Sequence, residues 1–238
     1  MSGETKFAFR TENLVKTYGQ GDGQVDALRG VNVEIPAKEF VVLLGPSGSG
    51  KSTLLNILGG LDKPTSGKVY FNDIEVSAMK DKAMTKYRRH NVGFIFQQYN
   101  LLPSLTALEN VELVTEIAKQ PLPAKQALEM VGLTDRMNHF PSQMSGGELQ
   151  RVAIARAIAK QPSVLFCDEP TGALDSQTGR TILNILQDIN ENLGTSIIIV
   201  THAVATAAMA DRVINFADGN IVDIRTNAHK AKADEIEW

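Results

Sequence analysis

The chain has 238 residues, of which 43% are hydrophobic and 21% are charged, so it is long and apolar enough to bury a large core and is not intrinsically disordered. Its net charge of -3 provides no overall positive field, which argues against a protein that holds a nucleic-acid backbone. The single cysteine, Cys167, excludes an internal disulfide framework and favours a reducing compartment. We therefore expect a cytoplasmic globular protein without a nucleic-acid partner.

The apolar runs are too short for a membrane span. Residues 40–44 and 197–200 are the longest, whereas about 20 apolar residues are needed to cross a bilayer. Residues 1–10 lack a basic start followed by an apolar stretch, so no secretory signal is predicted. Contact with a membrane is therefore expected only through a partner.

The first predicted elements are strands separated by turns. Residues 7–15, 25–35 and 68–76 have the composition of strands, and Pro64-Thr65-Ser66-Gly67 is typical of a turn. This pattern predicts a small antiparallel sheet attached to the core.

The core is predicted from short runs that are apolar at every position, which is typical of parallel strands buried on both faces. These runs are residues 40–44, 92–96, 164–167 and 197–200. Helical patterns lie at residues 51–59, 149–159 and 179–192. The sequence predicts an α/β fold with a parallel central sheet.

The stretch from about residue 98 to 159 has several helical candidates and no strong strand candidate. We predict that it is a helical subdomain inserted into a core of about residues 1–97 and 160–225. A polar tail, residues 226–238, completes one predicted domain of residues 1–238.

Polar residues follow each core strand. The first strand runs into a glycine-rich loop, and the others run into Gln97, the pair Asp168 and Glu169, and the pair Thr201 and His202. Ligands of open α/β sheets bind beyond the carboxyl ends of the strands. The sequence therefore predicts a nucleotide site at this edge of the sheet.

The glycine-rich loop has the spacing of a phosphate-binding loop, with the sequence Gly45-Pro46-Ser47-Gly48-Ser49-Gly50-Lys51-Ser52. Its glycines let backbone N–H groups surround phosphate oxygens, and the following helix directs its positive end at the same anion. Lys51 is predicted to reach the outer phosphates, the Ser52 hydroxyl to ligate Mg²⁺, and Thr53 to join the nucleotide site. A simple glycine turn is the alternative, which the flanking strand and helix disfavour. The loop therefore predicts that the α/β fold is a phosphate-loop NTPase core.

The acidic pair fits the same chemistry. Asp168 has the place of the acid that holds the Mg²⁺ shell in phosphate-loop enzymes. Glu169 is predicted to orient the attacking water or to accept its proton. Without the phosphate loop, the two acids would be interpreted as solvated side chains at the end of an ordinary strand.

A second glycine-rich segment, the signature segment, is Met144-Ser145-Gly146-Gly147-Glu148. With the helix that follows it, this segment resembles the signature of ATP-binding cassette (ABC) ATPases, whose common form is Leu-Ser-Gly-Gly-Gln. A serine and two glycines that open a helix form an anion-binding nest with free N–H donors. The resemblance implies that this nest serves the ATP of a second copy of the chain.

The resemblance covers about residues 7–222 and implies an ATPase that uses ATP and Mg²⁺. It implies that Tyr18 stacks on adenine, although packing is the other interpretation of an isolated tyrosine. It also implies that Gln97 senses Mg²⁺, that His202 contacts the γ-phosphate, and that the crossing loop, residues 172–175, passes between subunits. Three positions depart from the common pattern, namely Met144, Glu148 and Ala203, but none removes a catalytic group.

Residues 19–24, 96–103 and 105–110 are similar to the branch of macrolide exporters and lipoprotein-release systems. That branch implies an integral membrane permease as partner, export or extraction of a lipoprotein, peptide or drug-like substrate, and a peripheral position on the cytoplasmic face of the inner membrane. A cell-division type of signalling ATPase remains an alternative. A nucleic-acid or ribosome-associated cassette is disfavoured, because the sequence has no long insertion between the phosphate loop and the signature segment.

Overall fold

The structure is a computed structural model that describes residues 7–236. Residues 1–6 and 237–238 lie outside this range. The prediction that residues 1–10 carry no secretory signal therefore falls mostly outside the described residues. No helix within the described range is both long and apolar enough to span a membrane.

The strands and helices alternate through most of the chain. The strands are β1 (Phe7–Tyr18), β2 (Val25–Pro36), β3 (Phe40–Leu44), β4 (Ser66–Phe71), β5 (Ile74–Glu75), β6 (Val92–Phe96), β7 (Val164–Asp168), β8 (Ser196–Thr201), β9 (Arg212–Ala217) and β10 (Asn220–Thr226). The helices are α1 (Lys51–Leu58), α2 (Asp81–Asn91), α3 (Ala107–Thr115), α4 (Ala124–Met130), α5 (Gly146–Ala159) and α6 (Ser176–Leu193).

A six-stranded sheet with the order β10-β9-β3-β8-β7-β6 forms the centre of the molecule. All neighbouring pairs except β10 with β9 are parallel, which confirms the predicted parallel core. The register places Leu44 beside Thr201, and it places Asp168 beside both Val200 and Phe96. The carboxyl ends of five parallel strands, β9, β3, β8, β7 and β6, therefore meet at one edge.

The predicted antiparallel sheet is also present, with the order β2-β1-β4-β5. The prediction of a single strand at residues 68–76 is wrong in one respect, because this segment forms two strands, β4 and β5. Asn72 and Asp73 separate the two strands with φ angles of 44° and 68°, which is a two-residue turn of the kind that joins hairpins. The predicted turn at residues 64–67 ends early, because Ser66 already belongs to β4.

Alternate residues of the central strands face two separate apolar clusters. In β3, Phe40 and Val42 belong to the cluster that α5 and α6 complete. Val41 and Leu43 belong to the cluster formed with α1 and the antiparallel sheet. Layers on both faces explain why these strands are apolar at every position.

Only helices and short 3₁₀ turns lie between β6 and β7, as predicted for the insertion. Helix α5 begins earlier than predicted, because the Ser145 side chain caps it by accepting the Glu148 N–H. Helix α6 also begins earlier, because the Asp175 carboxylate accepts the Thr178 N–H.

The sequence did not predict α2, a helix whose basic segment, residues 86–90, contains a tyrosine that packs into the core. Tyr87 is buried and its hydroxyl donates to the Leu58 carbonyl oxygen at 2.7 Å. The Arg88 Nη1 donates to the Gly60 carbonyl oxygen at 2.7 Å. These contacts anchor α2 against the end of α1.

The tail, for which the sequence predicted no role, packs against the core as far as Ile236. The Asn227 side chain donates to the carbonyl oxygens of Ala207 and Ala210, both at 2.8 Å. Ala233 and Ile236 are buried in the cluster that α6 completes. The tail therefore covers α6 and the 3₁₀ turn Val204–Met209.

Candidate functional site

A cavity of about 640 Å³ lies at the edge where the carboxyl ends of the core strands meet, and we call it the strand-end cavity. Its walls include much of the phosphate loop together with residues at the ends of β6, β7, β8 and β9. The predicted site residues that line it are Ser47, Gly48, Ser49, Gly50, Lys51, Ser52, Thr53, Gln97, Glu169 and His202. The convergence predicted from the strand ends is therefore present.

The phosphate loop is held between two other parts of the chain. Gly50 has a φ of 103°, and a Cβ at this position would collide with the Ala27 carbonyl oxygen of β2. On the other side, the Gly219 N–H donates to the Ser49 carbonyl oxygen at 3.0 Å, and the Arg29 N–H donates to the Gly219 carbonyl oxygen at 3.0 Å. Only glycine satisfies this close approach with a positive φ.

Lys51 is almost completely buried, with 6% of its surface exposed. Its Nζ donates to the carbonyl oxygens of Gly45 at 2.8 Å and Pro46 at 2.7 Å. Burial lowers the pKa of Lys51, and the nearby carboxylates of Glu169 and Asp168 oppose that effect. The ammonium thus lies within the loop, where phosphate oxygens can replace the backbone carbonyls as its partners.

Asp168 does not itself line the strand-end cavity, but it is joined to the cavity wall through Ser52, whose hydroxyl donates to Asp168 Oδ1 at 2.9 Å. Burial raises the pKa of Asp168, while the hydrogen bond from Ser52 acts in the opposite direction. Within residues 7–236 there is no cluster of three or more His, Cys, Asp or Glu side chains suited to a metal. One hydroxyl and one carboxylate fit Mg²⁺, which keeps several waters and takes its other ligands from substrate phosphates.

Glu169 follows β7 in a left-handed conformation, with a φ of 49°. Its N–H donates to the Val200 carbonyl oxygen at 2.9 Å, which ties it to β8. One carboxylate oxygen, Oε1, lies 2.9 Å from His202 Nδ1, and the other, Oε2, accepts the Thr201 hydroxyl at 3.2 Å. The structure therefore brings the predicted base and the predicted γ-phosphate contact together.

Tyr18 does not line the strand-end cavity. Its hydroxyl donates to Asp62 Oδ2 at 2.7 Å, and Lys16 Nζ lies 4.7 Å from the centre of its ring. Tyr18 as a whole residue is 41% exposed, so part of it is accessible from solvent. Adenine stacking on Tyr18 therefore stays a prediction.

The signature segment lies away from the strand-end cavity, and neither Ser145, Gly146, Gly147 nor Glu148 lines it. Some N–H groups of the predicted anion-binding nest already donate hydrogen bonds to side chains of the same segment. The Ser145 N–H donates to Glu148 Oε2 at 2.8 Å, and the Glu148 N–H donates to Ser145 Oγ at 3.3 Å. The signature segment was predicted to offer free N–H donors to an anion. That prediction is wrong for the N–H groups of Ser145 and Glu148, which already donate within the segment.

Glu148, which departs from the common glutamine, has a partner for its charge. Its Oε1 accepts a hydrogen bond from Arg136 Nε at 3.0 Å. The pKa of Glu148 is lowered, chiefly because the Ser145 N–H donates to the carboxylate. The carboxylate thus caps its own helix and is neutralised from the same chain.

Several residues of the strand-end cavity were not predicted from the sequence. Val25, Asp26, Ala27 and Arg29 come from β2, and Asp218 and Gly219 form the turn between β9 and β10. Asp218 and Gly219 have φ angles of 48° and 77°, which matches the Asp-Gly hairpin turn. That dipeptide between two apolar runs was the available signal, whereas nothing local marks the β2 residues.

Sequence comparison assigns the family. The profile described as ABC transporter matches residues 28–172, which is more than half of the chain. The chain belongs to the ABC transporter ATP-binding family. The predicted family and fold are therefore confirmed, and this cassette is an ATP-binding ATPase subunit of the ABC transporter type.

Related cassettes match along most of their length. An ABC transporter ATP-binding protein of Methanocaldococcus jannaschii is 49% identical over 218 residues, covering 90% of this chain and 97% of the relative. The lipoprotein-releasing system ATP-binding protein LolD of Syntrophotalea carbinolica is 46% identical over 214 residues, covering 88% and 94%. The dimeric post-hydrolysis structure of the cassette MJ0796 bound to ADP and Pi has a TM-score of 0.84 at 44% identity, covering 92% and 98%.

In this cassette, close packing disfavours any residue larger than glycine at Gly147, the second glycine of the signature segment. Gly147 is buried, and a Cβ there would overlap the Thr178 Cγ2 at the start of α6. We expect Gly147→Ala to lower stability by about 1–3 kcal/mol, as overpacking does. Thr178→Ser removes that methyl group but keeps the hydroxyl that donates to Asp175, so it is expected to restore the stability of Gly147→Ala.

Thermal unfolding and ATPase assays of both single variants and the double variant separate two roles of Gly147. Restored stability with restored ATPase indicates that the glycine serves packing alone. Restored stability with persistently low ATPase indicates a further role toward nucleotide. Failure of Thr178→Ser to restore stability would contradict the packing explanation.

Proposed function

We propose that the chain is the ATP-hydrolysing subunit of a transporter in which two copies close around ATP and so drive a separate integral membrane permease. One observation carries this proposal. Most of the phosphate loop, Glu169 and His202 line one cavity, and Asp168 is hydrogen-bonded to Ser52 in its wall, whereas the signature segment lies elsewhere in the same chain. A second copy that supplies its signature segment would complete each site, and the dimeric state of the MJ0796 cassette supports this arrangement.

Each predicted residue has a role in that site. Residues 45–53 would bind the phosphates, with Lys51 donating to the outer ones, and Tyr18 would stack on adenine. Glu169 would orient the attacking water and accept its proton, while His202 would hold the carboxylate and contact the γ-phosphate. Ser145, Gly146, Gly147 and Glu148 of the partner copy would complete the nest.

We also propose a magnesium site formed by Ser52 and Asp168, with Gln97 at its edge. The ion supplies charge neutralisation at the phosphate oxygens when it is bound. The Ser52–Asp168 hydrogen bond supports this assignment, because it places two oxygen ligands together beside the phosphate loop.

The proposed cargo is a lipoprotein, peptide or drug-like substrate that is exported or extracted from the membrane. The similarity to lipoprotein-releasing LolD proteins supports this choice. The single cassette domain of residues 1–238, including its helical insertion, would then be peripheral on the cytoplasmic face of the inner membrane and would bind the membrane only through the permease.

Affinity purification of the full chain from detergent-solubilised membranes tests the proposed partner. We expect a permease with its own membrane-spanning helices to copurify, and vanadate-sensitive ATPase activity in the complex to respond to its cargo. Recovery of a membrane partner that activates an envelope enzyme without transport would contradict the transport proposal. A stable heterodimer with a different cassette would contradict the proposed homodimer.

A further inference from the structure

Thr201 is an additional polar residue beside the proposed base, and no sequence motif assigned it a role. It is the last residue of β8 and only 2% exposed. Its hydroxyl donates to Glu169 Oε2 at 3.2 Å and accepts the Ala203 N–H at 3.0 Å. A buried hydroxyl with both partners satisfied has one orientation, so it holds the carboxylate in a defined place.

The sheet register explains why Thr201 reaches Glu169. Asp168 lies beside Val200, and the Glu169 N–H donates to the Val200 carbonyl oxygen at 2.9 Å. Glu169 is therefore attached to β8 by its backbone one residue before Thr201. Its φ of 49° is uncommon for a residue with a side chain, so contacts around it must hold that conformation.

The two partners of the Glu169 carboxylate differ in exposure. The His202 side chain is 70% exposed, and in the proposed mechanism it also contacts the γ-phosphate. Thr201 is enclosed, and it is β-branched, so its χ1 angle is restricted. The contact from Thr201 can therefore persist while the contact from His202 changes.

We propose that Thr201 is a positioning residue for Glu169. Its hydroxyl fixes Oε2, which leaves Oε1 directed at His202 and the attacking water. This inference rests on the proposed function, because it presumes that Glu169 activates the water.

Thr201→Val tests the proposal, since it replaces the hydroxyl by a methyl group of similar volume. We expect kcat to fall on the order of 10- to 100-fold, which is the effect of one lost hydrogen bond to a charged group. KM and the affinity for ATP should change by less than about threefold, because Thr201 does not line the strand-end cavity. Thr201→Ser keeps the hydroxyl and should recover most of the rate.

A double-variant comparison separates this role from a purely structural one, since the Thr201 hydroxyl also shapes the turn at Ala203. In a Glu169→Ala background, measured under single turnover, Thr201→Val should cause no further loss. The full loss in that background would mean that Thr201 acts through the turn, and it would overturn the proposal. Wild-type kcat in Thr201→Val would overturn it as well.

Two checks keep the outcome interpretable. Thermal unfolding reports the folding of each variant, and Thr201→Ala gives a second variant without a hydroxyl, in which the same loss is expected if the valine variant folds poorly. Normal turnover in Glu169→Ala would refute the proposed role of Glu169 itself, and the positioning role of Thr201 would be refuted with it.

Discussion

Glu169→Gln is expected to hydrolyse ATP about 10²–10⁴-fold more slowly than the wild type while it still binds ATP. The amide has the size of the carboxylate and can still accept the Thr201 hydroxyl, so the geometry around β7 and β8 should persist. It cannot accept a proton from water, and only the chemical step should be affected. The rate is measured as phosphate release at saturating ATP.

The same variant should accumulate as an ATP-bound dimer on a sizing column, because closure is expected to precede hydrolysis. Glu129→Gln is a suitable control, since Glu129 is exposed on α4 and far along the chain from the strand ends. Normal turnover in Glu169→Gln would refute the role of Glu169. Low turnover without any dimer would contradict the proposal that two copies enclose the nucleotide.

Lys51→Ala is expected to weaken nucleotide binding itself. The buried ammonium is the one predicted to donate to the outer phosphates, and the loss of a hydrogen bond between charged groups costs about 1.5–3 kcal/mol. This corresponds to an increase in Kd on the order of 10- to 100-fold. Isothermal titration calorimetry with ATP measures the change directly.

Lys63→Ala provides the matched control for this measurement, because Lys63 has the same side chain but is 69% exposed and forms a surface pair with Asp81. It should bind ATP like the wild type. Unchanged affinity in Lys51→Ala, with the fold intact by thermal unfolding, would count against the assignment of the phosphate loop.

The sequence alone determined the parts of the site that depend on local patterns. Apolar runs predicted β3, β6, β7 and β8 within one residue at each end, because strands buried on both faces leave no polar positions, whereas β9 and β10 of the same sheet were not predicted. The phosphate loop was predicted from its spacing, and the strand-end residues Glu169 and His202 were predicted to meet because parallel strands present their carboxyl ends at one edge. Similar reasoning failed for α2, whose buried Tyr87 lies within a mostly polar helix.

The tertiary structure decided the contacts between residues that are distant in the chain. The turn at Asp218 and Gly219 holds the phosphate loop from the opposite end of the sequence, and Thr178 of another helix leaves no room for a Cβ at Gly147. The Thr201 hydroxyl reaches Glu169 only through the register of β7 and β8. Such contacts arise from how strands pair and layers pack, and no spacing within a local segment encodes them.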